Sequence, residues 1–271
     1  MTKAVCCLLL VLWASSAFGQ NYIQFFEKGQ IDWSNAIIEA VGIGTAPAET
    51  DNPAQSRAIA KSRAETLARS QLYDLIETLQ VDSGHDVEAL IDRQKVRVEA
   101  LRALLSRCRV VDVAYLEDGS VKATVAFTLN GPFAELVLPE DIKVIEPVLQ
   151  PERADKKHSA PTGVVVDCSG FSVKPAMAPS IVDEQGEVVY GSPYASRDHA
   201  VKRGMVSYAK NLAAAQSHPR VAPRSLAIQG IRTSKRGPCD IVISNADAAE
   251  IRGSASNLRV MHQCRVIIVL D

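Results

Sequence analysis

The sequence has no C-x-x-C pair and no H-x-x-x-H pair, the closely spaced ligand sets that a structural or catalytic zinc ion needs, so a zinc site is disfavoured. It has no G-x-S-x-G elbow, and Ser169-Gly170 after Asp167-Cys168 reads only as a turn. No Gly-Lys-Ser/Thr follows a glycine loop, which removes a Walker phosphate site. Long blocks of like charge are missing and the formal net charge is -1, leaving no electrostatic footprint for nucleic acid or anionic lipid. The tyrosines and Trp33 are dispersed, so no aromatic cage is expected. No cofactor and no metal is implied.

What the chain does have begins at its front. Lys3, the apolar run Val5 to Trp13 and the small residues Ala14 to Gly19 have the layout of a secretory signal peptide, residues 1–19, with cleavage expected before Gln20. Cys6 and Cys7 precede the end of the apolar core, where a lipobox cysteine must follow it. No later stretch reaches the ~18 consecutive apolar residues of a transmembrane span. The expectation is an exported protein of the periplasm, with association to the outer membrane left open. Cys108, Cys168, Cys239 and Cys264 remain after cleavage, an even number that permits disulfides in an oxidising compartment with three connectivities.

Residues 139–161, PEDIKVIEPVLQPERADKKHSAP, form a proline-rich, charged linker. It divides a block at 31–138 from one at 162–271. In the first block, Ala60, Ala64, Leu67, Ala68, Leu72, Leu75, Ile76 and Leu79 fall at helical spacing, with Arg57, Lys61, Glu65 and Arg69 on the polar side. The alanine-rich start of that face suits close approach to a sheet. A second helix is expected from Asp86 to Ser106. Then the period becomes two: Val111, Val113 and Tyr115 alternate, Asp118-Gly119 makes a tight turn, and Val121 to Leu129 alternate again, a hairpin. Strand, helix, helix, strand, strand gives an α+β layer with helices on one face of an antiparallel sheet.

The second block reads as a mixed α/β sheet with helices. Val164 to Asp167 is a strand, and Glu184-Gln185-Gly186 joins a hairpin. A helix runs from Arg197 to about Gln216, strands at Leu226 to Ile231 and Asp240 to Ser244, a helix from about Asp247 to Met261 with Asp247 and Glu250 as a capping box, and a strand at Arg265 to Leu270. The last strand-helix-strand unit is expected to place its two strands side by side in a right-handed crossover. Cys239 and Cys264 each precede one of those strands, which makes them the disulfide candidate.

VGIGTAP, Val41 to Pro47, raises the possibility of a phosphate loop. The dinucleotide fingerprint needs a third glycine where Pro47 stands and a helix that starts at once; here it waits until about Pro53, and Glu49 and Asp51 would repel an anion. The glycines serve backbone geometry instead. His262 lies two residues from Cys264, but side chains at that spacing need not face each other, and a helix-end histidine is the simpler reading.

Trp33 leading a strand, the Gly42-Ile43-Gly44 turn, and the helix AQSRAIAKSRAETLARSQLYDLI, with Ala58, Ala60, Arg63, Ala64 and Ala68 at matching positions, resemble the FlgT N-terminal domain and the bacterial small surface lipoprotein family called Lpp-twenty. The resemblance covers residues 31 to 138, and it assigns Trp33, Gly42, Gly44, Ala60, Arg63 and Ala64 structural roles. It implies a non-enzymatic envelope protein, a structural or assembly factor of the outer membrane or flagellar basal body, whose partners are envelope or basal-body proteins. The lipobox and the further domains of a complete FlgT are missing. Two other readings stand beside it: a periplasmic small-ligand-binding module with its site in the loop Gly170 to Ala178, and an enzyme using Cys168 or Cys264.

Overall fold

A computed structural model describes residues 21–48, 52–142 and 160–271. The expected signal peptide, Glu49 and Asp51, and the middle of the proline-rich linker lie outside the described residues.

The first layer is an antiparallel sheet of five strands, β1 (Ile23–Phe26), β2 (Gly29–Asp32), β3 (Ile37–Gly44), β6 (Arg109–Tyr115) and β7 (Val121–Thr128), in the order β1-β2-β3-β7-β6. Two of these, β1 and β2, precede the expected first strand; at four residues each they are too short for alternation to stand out. α1 (Pro53–Glu77) crosses one face. Asn52 caps it by accepting from the Ala54 amide at 2.9 Å, and Pro53 occupies the first helical position, where a missing N–H costs nothing.

Between α1 and β6 lie a small hairpin, β4 (Gln80–Asp82) with β5 (His85–Asp86), and two helices, α2 (Val87–Asp92) and α3 (Val98–Leu105), where one helix was expected. The break is a left-handed Gln94, φ 57, with the Gln94 amide on Ile91 O at 2.8 Å and the Lys95 amide on Leu90 O at 2.9 Å. That is a Schellman stop without the glycine that would have announced it. α4 (Pro132–Val137) closes this half.

The second layer is a mixed sheet of seven strands: β8 (Gly163–Asp167), β9 (Ile181–Val182), β10 (Val188–Tyr190), β11 (Ser207–Ala209), β12 (Ser225–Ser234), β13 (Gly237–Ile243) and β14 (Val266–Val269), ordered β10-β9-β13-β12-β8-β14-β11. β8 is central and parallel to both β12 and β14, and reads Val-Val-Val because both its faces are buried. The helix expected over Arg197 to Gln216 is two helices, α5 (Arg197–Arg203) and α6 (Leu212–Ser217), with β11 between them; Gly204 at φ 80 stops α5. The helix expected from Asp247 is likewise α7 (Asn245–Arg252) and α8 (Ala255–His262), parted at Gly253. Ser244 caps α7 in place of Asp247, accepting the Asp247 amide at 3.0 Å and donating to the Asp247 carboxylate at 2.6 Å.

β13 and β14 are not neighbours: β12 and β8 stand between them, so the two strands are three spacings, ~14 Å, apart. The side-by-side placement expected for them is therefore corrected, and the Cys239–Cys264 disulfide with it. Both are free thiols, and a disulfide requires Cα atoms within ~7 Å.

The two sheets share one apolar core that runs from Ile31 and Leu72 to Tyr190 and Ile268. Trp33, on the first side, packs edge-on against Tyr208 of the second with ring centroids 5.7 Å apart. The Met177 and Ala178 amides donate to Gln80 O and Val81 O at 3.1 and 2.7 Å, and Arg197 spans the seam to Glu135 at 3.0 Å.

Candidate interaction surface

The glycine pair of VGIGTAP fixes which face of the first sheet is closed. A Cβ on Gly42 would overlap the Ala64 carbonyl and the Ala68 amide; one on Gly44 would overlap the Ala60 carbonyl and the Ala64 amide. Helix and strand touch backbone to backbone, which only Gly opposite Ala allows. Arg63 ties the strand end to the helix by donating from Nη1 to Thr45 O at 2.8 Å. Trp33 is buried and donates from Nε1 to Gln24 Oε1 at 3.0 Å. The six residues singled out by the resemblance, Trp33, Gly42, Gly44, Ala60, Arg63 and Ala64, thus form the joint between α1, the sheet and the second half; Arg63 is exposed and also lines a cavity of about 420 Å³ with Ile43 and Thr66.

Closing one face leaves the other. Strand register puts Phe25, Gln30, Glu39, Ala126 and Arg109 in one row across all five strands on the side away from α1. Ile23, Asp32, Ile37 and Thr128 form the next row, and Val41, Thr124 and Asp112 another. Apolar side chains on this face stay in solvent: Phe25 is 71% exposed and Ile43 54%. Gln30 Nε2 donates to Glu39 Oε2 at 2.8 Å, which orients the middle of the row. A cavity of about 530 Å³ lies at the end of β6 and β7, lined by Ile37, Glu39 and Arg109 together with Leu104, Phe127 and Phe133. Val111 is the extra residue of a bulge opposite Val125 and Thr124, and is turned outward by it. The exposed Phe25, Ile43 and Val111 stand on different strands with Gln30, Glu39, Asp32, Thr124 and Asp112 among them, so this face is a mixed polar and apolar surface. Sequence periodicity could not find it, because Ile37 to Ile43 alternates between two faces that are both partly apolar.

The other candidate residues are built into the interior. The four thiols are buried. Burial, with the Asp167 charge beside it, pushes Cys168 up to about 12, and burial next to Asp240 does the same to Cys239; burial also raises Cys264 and Cys108. The thiolate is the nucleophile, so these sites hold cysteine in its unreactive form. Cys264 takes the left-handed position after α8, φ 56, with its amide on Met261 O and the Arg265 amide on Val260 O, another Schellman stop. Its neighbour His262 directs Nδ1 to Tyr194 O at 3.2 Å, and its buried Nε2 has no partner among the described residues. His85 sits between Asp82, 3.0 Å from Nδ1, and Arg93, 2.5 Å from Nε2, so both ring nitrogens are occupied.

The loop Gly170 to Ala178 is a structural plug. Tyr208 Oη accepts from the Ala176 amide and donates to the Ala176 carbonyl, both at 2.8 Å. The cavity that Ala176 and Met177 line with Trp33 and Tyr208 measures about 30 Å³, room for one water. Ala178 and Ser180 also border a polar cavity of about 350 Å³ between the halves, with Asp82, His85, Arg236 and Asp240. Among the described residues no group of three His, Cys, Asp or Glu side chains could hold a metal ion, and no helix is long and apolar enough to cross a membrane.

Residues 163–271 match a family model described as the second domain of Treponema pallidum Tp0624. That segment is the seven-stranded half; the matched range leaves out the open sheet face and the glycine joint. No curated protein matches the chain.

Proposed function

We propose that this chain is a non-enzymatic exported envelope protein, a structural or assembly factor associated with the outer membrane or the flagellar basal body, and that it meets its partners through the open face of the five-stranded sheet. The observation that carries the reading is the exposure of Phe25, Ile43 and Val111 on a rigid sheet whose other face is locked to α1. A sheet held this firmly presents its surface without an ordering cost, as a docking platform requires. The buried placement of Cys168 and Cys264 supports this reading over an enzymatic one, which would need an accessible thiolate. Photo-crosslinkers at Ile43 and Val111 in the native host test the proposal: adducts in outer-membrane or basal-body fractions are expected. A chain found wholly in soluble periplasm without adducts sinks it.

A second reading, a small-ligand module, moves from the loop Gly170 to Ala178 to the 350 Å³ cavity beside it, which falls in the usual size range of ligand sites. Its strongest feature is Asp240, only 5% exposed, with Oδ1 accepting the Ser180 amide at 3.1 Å. Chemical-shift changes confined to the Asp240 and Ser180 amides on adding small cationic or hydroxylated probes would favour it.

A further inference from the structure

We infer that the cavity at the end of β6 and β7 is a binding site for a small anionic amphiphile, a single-chain carboxylate whose tail lies among Leu104, Phe127 and Phe133 and whose head meets Arg107 and Arg109. The inference goes beyond the docking role proposed for the open face and holds whether or not proteins dock there.

The tail end follows from side chains that the sheet and the helices leave partly uncovered. Phe133 of α4 is buried, and Phe127 of β7 meets it edge-on with ring centroids 5.5 Å apart. Phe127 itself and Leu104 of α3 pack against the core but are only partly buried. Ile37 and Val111 bring two more apolar side chains to the same cavity, and both are exposed. These apolar residues line a space of about 530 Å³. Its size is that of a small-molecule site, and so is its pattern of apolar and aromatic walls with few polar groups. An alkyl chain entering it takes apolar surface of both partners out of water.

The head end follows from the turn that joins α3 to β6. Only Ser106, Arg107 and Cys108 separate the two elements. The Arg107 amide donates to Leu104 O at 3.1 Å and the Cys108 amide to Leu105 O at 3.0 Å, which fixes the turn on the helix end. Cys108 is buried in the core, while Arg107 and Arg109 on either side of it are exposed and line the cavity. Neither guanidinium has a hydrogen-bond or ion-pair partner among the described residues. Each offers a planar fork of N–H donors, the geometry that a carboxylate accepts in pairs.

Glu39 is the one acid among the lining residues. Register puts it across Ala126 from Arg109, two strand spacings or ~10 Å away, and Gln30 Nε2 holds its Oε2 at 2.8 Å. The arginine side of the cavity therefore stays positive. A formal net charge of -1 over the whole chain gives no footprint for an anionic membrane. Two unpaired cations beside an apolar cavity select a single molecule instead, one with an anionic head and an apolar tail.

The test is isothermal titration of the chain from Gln20 with sodium dodecanoate below its micelle concentration, beside dodecyltrimethylammonium, dodecanol and acetate, with amide shifts followed by NMR. Saturable binding of dodecanoate is expected, with shifts centred on Cys108, Arg109 and Phe127. The cationic amphiphile should bind at least about 10-fold more weakly, and acetate not measurably. Arg107→Gln/Arg109→Gln changes exposed side chains, so circular dichroism should show the fold kept. It should weaken dodecanoate at least about 10-fold and leave dodecanol unchanged, a split that general damage would not give. Ala126→Leu, which fills the cavity from its lining, should weaken both. Dodecanoate that binds no better than its cationic counterpart, or is indifferent to the double variant, overturns the inference. So does a chain that sediments with phosphatidylglycerol vesicles yet takes up no free dodecanoate, since its arginines would then read a membrane surface. Ile43 does not line this cavity, so envelope adducts at Ile43 test the docking reading alone.

Discussion

The Ser34 hydroxyl donates to the Tyr208 carbonyl at 2.6 Å, while the hydroxyl of Ser207, one residue earlier, donates to the Ser34 carbonyl at 2.9 Å. This reciprocal pair stitches the start of the first sheet to β11, the edge of the second, and Asn21 extends the seam with a bridge to Ala209. Heat or urea should therefore unfold both halves in one transition, with Trp33 fluorescence and far-UV dichroism coinciding. Two separated transitions would show that the seam is too weak to couple them.

Tyr208→Phe tests the same seam from inside. It removes the hydroxyl that satisfies both the amide and the carbonyl of Ala176 in a buried site. An unpaired buried polar group costs about 1–3 kcal/mol, so the variant should lose about 2–5 kcal/mol of stability. A loss under about 0.5 kcal/mol would mean that the plug at Ala176 relaxes to find other partners.

Gly44→Val should be among the most damaging single changes in the first half. The new Cβ meets helix backbone, which cannot rotate aside, and overpacking of this kind costs about 1–3 kcal/mol or more. Gly119→Ala, at φ 82 with open space around it, carries only the left-handed backbone cost of about 1–2 kcal/mol. Urea midpoints for the pair should fall in that order; equal midpoints would deny the close approach of α1 to β3.

Arg220 is a partly buried guanidinium whose nearest partners are carbonyls: it donates to Gly204 O at 3.2 Å, to Cys264 O at 2.9 Å and to Arg203 O. Burial lowers its pKa to about 10. Arg220→Met strips three carbonyls of their donor and should cost about 3 kcal/mol or more, visible as a lowered Tm. Arg220→Lys should recover only part of the loss, because an ammonium cannot reproduce the fork.

The thiols give a pH signature. Cys168 and Cys239 have folded pKa values raised to about 12 from an ordinary 9.0. Above pH 9 the unfolded chain releases these protons and the folded chain keeps them, so stability falls as pH rises from about 9 towards 12. Below pH 9 these groups contribute no pH dependence. A Cys168→Ala/Cys239→Ala chain should show a flatter alkaline limb, and thiol reagents should label the native protein slowly and the denatured protein fully. Fast native labelling of Cys168 would contradict its burial.

The helix face Ala60, Ala64, Ala68, Leu72, Leu75, Ile76, the β6–β7 hairpin and the β9–β10 hairpin were legible in the sequence because local period and turn chemistry decide them. The breaks at Gln94 and within Arg197 to Gln216 were not. Left-handed stops can be made by residues other than glycine, and Ser207 to Ala209 becomes a strand only because β14 offers an edge to pair with. The disulfide expectation failed for a related reason: Cys239 and Cys264 are close in element order and distant in strand order.

By itself the sequence determined which segments are amphipathic, where alanine and glycine let a helix touch a strand, and that no familiar catalytic or metal motif is present, because these depend on neighbours within a few residues. Only the tertiary structure decided that β12 and β8 part the two cysteine strands, that Tyr208 binds the halves together, and that Phe25, Glu39 and Ala126 share one row. Register between strands far apart in the chain is set by packing of the whole core, and no local pattern encodes it.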